Sequence, residues 1–124
     1  MAFHNLLGEE GEKIAVRYLK SKGYIVYQTN WRFGKLEIDI IAEDGKELVF
    51  IEVKTRSSEI YGRPEEAVDD AKESAILNAA DIYVRDFNLE IEVRFDILSV
   101  LINNKKSKIC HIIDAFSGID QAYY

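Results

Sequence analysis

Two segments decide the fold of this 124-residue chain, Glu37-Ile38-Asp39-Ile40-Ile41-Ala42 and Leu48-Val49-Phe50-Ile51-Glu52-Val53-Lys54. Both are β-rich apolar runs, and Asp44-Gly45 between them is the dipeptide that best signals a tight hairpin turn. If the loop consists of these two residues, Glu37 lies directly opposite Glu52 on the neighbouring strand. The segments therefore predict a pair of antiparallel strands.

This register gathers charged side chains on one face of the hairpin, because side chains alternate between the two faces of a strand. The charged residues are Glu37, Asp39, Glu52 and Lys54. The other face is apolar except for Glu47 at the tip, and it contains Ile38, Ile40, Ala42, Val49, Ile51 and Val53. The pattern predicts one core face and one face that holds a charged cluster.

Length and composition are those of one globular domain over residues 1–124. The chain is 48% hydrophobic and 31% charged, and its net charge of −6 argues against a basic protein that coats nucleic acid. That argument weakens if the clustered acids bind a metal ion, because the ion cancels part of their charge. The basic residues are also clustered, for example Lys105, Lys106 and Lys108.

The sequence gives no sign of export or of a membrane span. No apolar run approaches the roughly 20 residues that cross a bilayer, and the N-terminus lacks the features of a signal peptide. Cys110 is the one cysteine, so it forms no internal disulfide, and its surroundings are typical of a strand. We expect a cytoplasmic protein with no membrane partner.

Periodicity along the chain predicts two helices and five strands. The predicted elements are a helix over 6–22, a strand over 24–30, the two hairpin strands, a helix over 65–86 and strands over 90–102 and 109–113. Gly23 is expected to cap the first helix, and Pro64 suits the first turn of the second. The order α-β-β-β-α-β-β indicates an α/β fold, with a mixed sheet and helices packed on it.

Carboxylates that share one face of a sheet repel each other, so their proximity needs a physical reason. A divalent cation supplies one, because Mg²⁺ and Mn²⁺ prefer oxygen ligands. Asp39 and Glu52 are expected as the main ligands, together with a backbone carbonyl near Val53. Lys54 on the same face would orient a water or neutralise a phosphate. These groups favour hydrolysis of a phosphodiester.

The motifs resemble the restriction-endonuclease-like PD-(D/E)xK superfamily and, more narrowly, the uncharacterised bacterial YraN-like family. The resemblance covers nearly the whole chain. Besides the two hairpin segments, it is carried by Gly11-Glu12-Lys13-Ile14-Ala15, Tyr18-Leu19, Gly23-Tyr24, Asn30-Trp31-Arg32, Tyr61-Gly62-Arg63-Pro64-Glu65-Glu66-Ala67-Val68, Lys72 and Val93-Arg94-Phe95-Asp96. Two positions depart from the pattern: Leu36 replaces the usual glycine, and Glu73 stands where a basic pair often follows Lys72.

The resemblance implies a restriction-endonuclease-like core and a Mg²⁺-dependent nuclease, with Asp39, Glu52 and Lys54 as signature residues. In the related Holliday-junction resolvases a glutamate of the first helix also reaches the metal, and Glu12 is the residue that matches. We therefore expect Glu37, Asp39, Glu52 and Lys54 to form the site, with Glu12 as a further metal ligand.

The expected substrate is DNA, including branched or structured DNA, and the expected cofactor is Mg²⁺ or Mn²⁺. The residues expected to contact the DNA backbone are Lys13, Arg17, Arg32, Arg56 and Lys72. Lys72 on its helix is otherwise expected to face solvent. A homodimer would bring a second copy to the second strand.

Simpler interpretations stand beside these. A single Glu-x-Lys on a strand is usually a solvated ion pair, and Glu37 then pairs with Lys35 or Lys54. Asp96 is expected to face away from the core in a structural partnership with Arg94.

Two other functions also fit the acids. The fold would serve an inactive nucleic-acid-binding or accessory protein equally well. Alternatively, Glu37 and Glu52, at about 5 Å, would suit the acid/base pair of a retaining glycosidase. Lys54 beside them and the lack of a larger barrel or cleft argue against the glycosidase.

Overall fold

The computed structural model describes residues 3–57 and 68–116 of the chain. Its elements are α1 (Phe3–Ser21), β1 (Ile25–Phe33), β2 (Leu36–Asp44), β3 (Glu47–Arg56), α2 (Asp70–Asp86), β4 (Glu92–Asn103) and β5 (Lys106–Ile112). This order confirms the predicted α-β-β-β-α-β-β arrangement. Neither helix is long and apolar enough to cross a membrane, within these residues.

The five strands form one sheet in the order β1-β2-β3-β4-β5. Neighbouring strands are antiparallel except for β3 and β4, which run parallel. A parallel pair needs a long crossover connection, and α2 lies in it. The mixed sheet with its helices confirms the predicted α/β class.

Both faces of the hairpin are buried, so the prediction of a single core face is wrong. On one face, Ala15 and Leu19 of α1 pack in a cluster with residues such as Ile51. On the other, Ile76 of α2 packs in a cluster that includes Phe50. The physical reason is that the residues on both faces of these strands are apolar, as in sheets that helices cover on both sides. Ile38 also packs in the α2 cluster, although it was expected on the same face as Ile40.

The hairpin turn lies one residue later than predicted. Asp44 pairs with Glu47, so the loop consists of Gly45 and Lys46. Gly45 has a φ of 61°, which glycine adopts without strain. The pairing of β2 with β3 therefore shifts by two residues, and Glu37 does not lie opposite Glu52. A shift of two preserves the alternation of side chains over the paired residues, from Ile40 to Asp44.

The helix ends follow from local capping. Gly23, with a φ of 91°, closes α1, and the amide of Tyr24 donates to the carbonyl of Leu19 at 3.0 Å. The second helix begins at Asp70 rather than at 65, because the Asp69 side chain caps it by accepting from the amide of Lys72 at 2.8 Å. The predicted first turn at 65–67 lies outside the described residues.

Asp96 is fully buried, so the prediction that it faces away from the core is wrong. The predicted partnership with Arg94 is confirmed, because two guanidinium nitrogens donate to the Asp96 carboxylate at 2.9 Å each. Nε2 of His111 lies 2.7 Å from the same carboxylate. Burial alone would raise the pKa of Asp96, but the hydrogen bonds from His111 and Arg94 hold it below its ordinary value.

Arg94 also joins this carboxylate to the hairpin. Its Nη1 donates to Asp44 at 2.9 Å and to Glu47 at 3.2 Å, and its Nη2 donates to the hydroxyl of Tyr24 at 2.7 Å. Asp44 and Glu47 flank the hairpin turn. Ion pairs from Arg94 to both acids therefore hold the turn end of the hairpin.

Gly11 marks the closest approach of α1 to the sheet. A Cβ atom at this position would lie 1.8 Å from Oγ1 of Thr55, whereas one at Gly8 would meet nothing within 4 Å. We expect Gly11→Ala to lower the free energy of unfolding by about 1–3 kcal/mol, because β3 would have to move away. Gly8→Ala is the matched control and should raise it by about 0.5–1 kcal/mol, through better helix propensity. Urea denaturation of both variants checks this, and equal effects would contradict the close packing.

Candidate active site

Asp39 and Glu52 lie where β2 and β3 stop pairing. The ladder between the strands ends at Ile40 and Ile51. Beyond it, Oδ2 of Asp39 accepts a hydrogen bond from the amide of Val53 at 2.8 Å. The side chain of Asp39 thus replaces a backbone partner, and this bond fixes its carboxylate beside β3.

Glu52 is a buried acid next to a second acid. Its exposed fraction is 6%. Burial, and then the hydrogen bond and negative charge of Asp39, raise the pKa of Glu52 to about 8, against the smaller opposing effect of Lys72 and Lys54. In the absence of another cation, this pair of carboxylates therefore retains a proton near neutral pH.

Lys72 reaches this site from α2 while its side chain stays partly exposed, so it does more than face solvent as expected. Its Nζ lies 3.4 Å from Oε2 of Glu52, and its side chain is 42% exposed. The cause is the cap at Asp69, which starts α2 beside the end of β3. No local pattern in the sequence signals this contact, because its two partners are 20 positions apart in the chain.

Glu12 faces the same site from α1. Nδ2 of Asn30 donates to Oε1 of Glu12 at 2.8 Å. Burial, followed by the charge of Asp39, raises the pKa of Glu12, and the hydrogen bond from Asn30 opposes this change. Asn30 has a φ of 52°, a conformation that asparagine tolerates better than most residues. It is a positioning residue that the sequence analysis missed.

These groups surround a cavity of about 320 Å³. It is lined by Leu7, Gly8, Glu12, Asp39, Glu52, Val53, Lys54 and Thr55. Because a water molecule takes about 30 Å³, the cavity has room for a hydrated cation or a phosphate group. Four of the five predicted site residues, Glu12, Asp39, Glu52 and Lys54, are thus brought together.

Glu37 lies at the border of this group. It forms an ion pair with Arg32 at 3.6 Å, and not with Lys35 or Lys54. Its negative charge still contributes to the raised pKa of Glu12. The shifted register also removes the direct pairing of Glu37 with Glu52 on which the glycosidase alternative rested.

The other predicted DNA contacts are spread over three elements. Lys13 and Arg17 are exposed one turn apart on α1. Arg32 is exposed on β1, and Arg56 is half-buried at the end of β3.

The donor set fits a hard cation that keeps much of its water. In the part of the chain that the structure describes, no three His, Cys, Asp or Glu side chains are grouped closely enough to enclose a metal ion. Asp39 and Glu52 provide two carboxylates, and Mg²⁺ commonly binds through one or two carboxylates and several waters. The raised pKa of Glu52 points the same way, because Lys72 and Lys54 do not offset burial and the charge of Asp39 when both acids are ionised.

Fold and site together define an α/β protein with a mixed five-stranded sheet and a cluster of acids and lysines at one sheet end. The chain belongs to the Uncharacterised protein family UPF0102, whose model matches residues 11–100. That range contains every predicted site residue. The family match confirms the resemblance to the YraN-like family.

Relatives of similar length support the family assignment. A UPF0102 protein of Bacteroides thetaiotaomicron is 47% identical over 116 residues, which cover 94% of this chain and 96% of the relative. A UPF0102 protein of Flavobacterium psychrophilum is also 47% identical, over 94% of this chain and 98% of its own length. One of Porphyromonas gingivalis is 42% identical over 118 residues, 94% of this chain and 87% of the relative.

The raised pKa of Glu52 has a consequence for stability. Because its pKa is about 8 in the folded protein and about 4.5 when unfolded, the folded state holds the proton more tightly. This contribution to stability is full below about pH 4.5 and is lost as the pH rises through 8. We therefore expect Glu52→Gln, which mimics the protonated acid, to match the parent near pH 5 and to exceed its free energy of unfolding by about 1–3 kcal/mol near pH 9.

Denaturant titrations of the metal-free protein at both pH values check this prediction. Glu37→Gln is the control, because Glu37 is half-buried and faces Arg32. Its effect should be the same at the two pH values. An effect of Glu52→Gln that did not change with pH would show that the acid is not held in its protonated form.

Proposed function

We propose that this protein is a metal-dependent nuclease that hydrolyses phosphodiester bonds of DNA, including branched or structured DNA, with Mg²⁺ or Mn²⁺. The observation that carries the proposal is the contact between the carboxylates of Asp39 and Glu52, in a cavity that Lys54 also lines. Two acids and an ammonium group are the parts that metal-assisted hydrolysis of a phosphodiester needs.

Asp39 and Glu52 would hold the ion, with a carbonyl near Val53 as a further ligand. Glu12 is not grouped with these acids closely enough to enclose the ion, so it would act through one of the ion's waters rather than as the expected direct ligand. The chemistry that the ion supplies when bound is a lower pKa of water and stabilisation of charge on a phosphate oxygen. The amide of Val53 keeps Asp39 in place before any substrate arrives. Asn30 does the same for Glu12.

Two lysines supply positive charge on the substrate side. Lys54 would orient the attacking water or balance the phosphate. Nζ of Lys72 lies 3.4 Å from Oε2 of Glu52 and the side chain is partly exposed, so it is placed to contact a phosphate as well. The exposed Lys13, Arg17 and Arg32, together with Arg56, would contact the DNA backbone farther from the site.

Cellular location and assembly are also part of the proposal. A cytoplasmic location suits Cys110, which is exposed and unbridged. A homodimer would bring two sites to a duplex, because each chain carries one candidate site. Glu37 would take part in catalysis through its negative charge near Glu12.

Removal of either main acid should abolish cleavage. We expect Asp39→Asn to lower metal-dependent cleavage of a branched DNA at least about 100-fold, because the ion loses a ligand. Asn retains the volume of the side chain and an oxygen that can accept from the amide of Val53. Glu92→Gln, an exposed acid at the start of β4, is the control and should cut as the parent does. Full activity of Asp39→Asn would end the assignment.

Metal binding separates a nuclease from an inactive nucleic-acid-binding or accessory protein. Because Glu52 holds a proton at neutral pH, Mn²⁺ should release about one proton on binding at pH 7. Calorimetry in two buffers of different ionisation enthalpy measures this release. If the heat of Mn²⁺ binding does not depend on Asp39 and Glu52, the inactive nucleic-acid-binding or accessory protein is favoured.

The amide of Asn30 should affect metal affinity through Glu12. Asn30→Gly preserves the positive φ and removes the hydrogen bond, so we expect Mn²⁺ affinity to fall about 10-fold. Asn88→Gly is a matched control, because Asn88 has the same φ of 52° and lies after α2. Equal Mn²⁺ affinities for both variants would show that Asn30 matters only for the positive φ of the backbone and not for the metal site.

A further inference from the structure

One stretch of this acidic chain carries only positive charge. Between Asp96 and Asp114 there are three lysines, Lys105, Lys106 and Lys108, and no carboxylate. The lysines lie at and just after the turn that joins β4 to β5. None of them belongs to the candidate site.

The parallel pairing of β3 with β4 places this turn at the same end of the sheet as the site. Arg56, at the end of β3, pairs with Leu101, and β4 continues to Asn103. The turn therefore projects beyond the end of β3. Glu52 pairs with Ile97, so the turn lies about 23 Å farther along the sheet, at about 3.3 Å per residue.

The turn holds a lysine in a conformation that favours glycine. Its two central residues, Asn104 and Lys105, have φ values of 51° and 67°, which define a type I′ turn. Asn-Gly is the preferred pair in such turns, and the other hairpin has Gly45 at its positive φ. A lysine here is strained, and strain of this kind often accompanies function.

The lysines of the turn are available for a partner. Lys105 and Lys106 are exposed, and neither ammonium group has a partner among residues 3–57 and 68–116. A groove of about 410 Å³ runs beside the turn and is lined in part by Asn103, Asn104 and Ser107. Their amide and hydroxyl groups can donate to phosphate oxygens.

We propose that the β4–β5 turn binds the backbone of a DNA duplex on one side of the scissile bond. This inference rests on the proposed function and adds the form of the substrate. Charge complementarity favours a polyphosphate, because the turn is cationic within an anionic protein. A distance of about 23 Å corresponds to about seven base pairs, so the duplex arm must be at least that long.

The test compares the DNA affinity of the parent with that of a variant in which two lysines of the turn are replaced by neutral residues. We expect Lys105→Asn/Lys106→Gln to weaken binding of a duplex of about 20 base pairs roughly 10-fold and to reduce the salt slope by about 2, because each phosphate contact contributes about 0.9. Asn tolerates the positive φ of position 105, so the turn keeps its shape. Fluorescence anisotropy over a range of salt, without divalent cations, gives both values.

Lys46→Gln is the matched control, because Lys46 is an exposed lysine in the turn at the opposite end of the sheet. It should bind as the parent does. Lys105→Gly adds a second readout: it should raise the melting temperature by about 2–4 °C as strain is relieved, and still weaken binding. A duplex with arms of about four base pairs should bind the parent and the double variant equally.

The outcomes separate this inference from the proposed function. An unchanged salt slope in the double variant overturns the role of the turn, even if the parent cuts DNA. If the double variant binds more weakly and the parent does not cut DNA, the role of the turn in DNA binding is supported and the proposed nuclease activity is excluded. A parent that binds no duplex DNA overturns the inference.

Discussion

The hydrogen bond from the amide of Val53 to Asp39 holds two acids side by side at the open end of a hairpin. Other features of the fold supply groups around this pair. The cap at Asp69 brings Lys72 to Glu52, and the close contact of Gly11 with Thr55 brings the adjacent Glu12 over the same end of β3. The repulsion between the acids is thus built into the fold, and a proton or a cation must relieve it.

Two buried acids that lie about one residue apart on the neighbouring strands β3 and β4 have opposite environments, because Asp96 pairs with Ile51 and Glu52 pairs with Ile97. Asp96 receives hydrogen bonds from Arg94 and His111, and its pKa is lowered. Glu52 lies against another carboxylate, and its pKa is raised. An acid whose partners already balance its charge serves structure. An acid that lacks such balance in a cavity is typical of a functional site.

Much of the fold was predictable because it depends on local signals. Alternation and helical periodicity predicted the elements. The error in the turn did not alter which face each paired residue occupies, because Gly45-Lys46 and Asp44-Gly45 differ by a shift that keeps the alternation. The predicted start of α2 was wrong because Asp69 supplies the N-cap and the helix begins at Asp70. Asn30 and Lys72 were not assigned their roles, because each contacts an acid far away in the sequence.

The hydrogen bond between Asp39 and the amide of Val53 fixes the position of the acids independently of the length of the hairpin. Strand pairing between β2 and β3 lies wholly on the turn side of Ile40 and Ile51. The hydrogen bond from the amide of Val53, and not strand pairing, therefore sets where the Asp39 carboxylate lies beside Glu52. A change confined to the turn at Gly45 and Lys46 would act on the opposite end of the hairpin and leave both carboxylates in place.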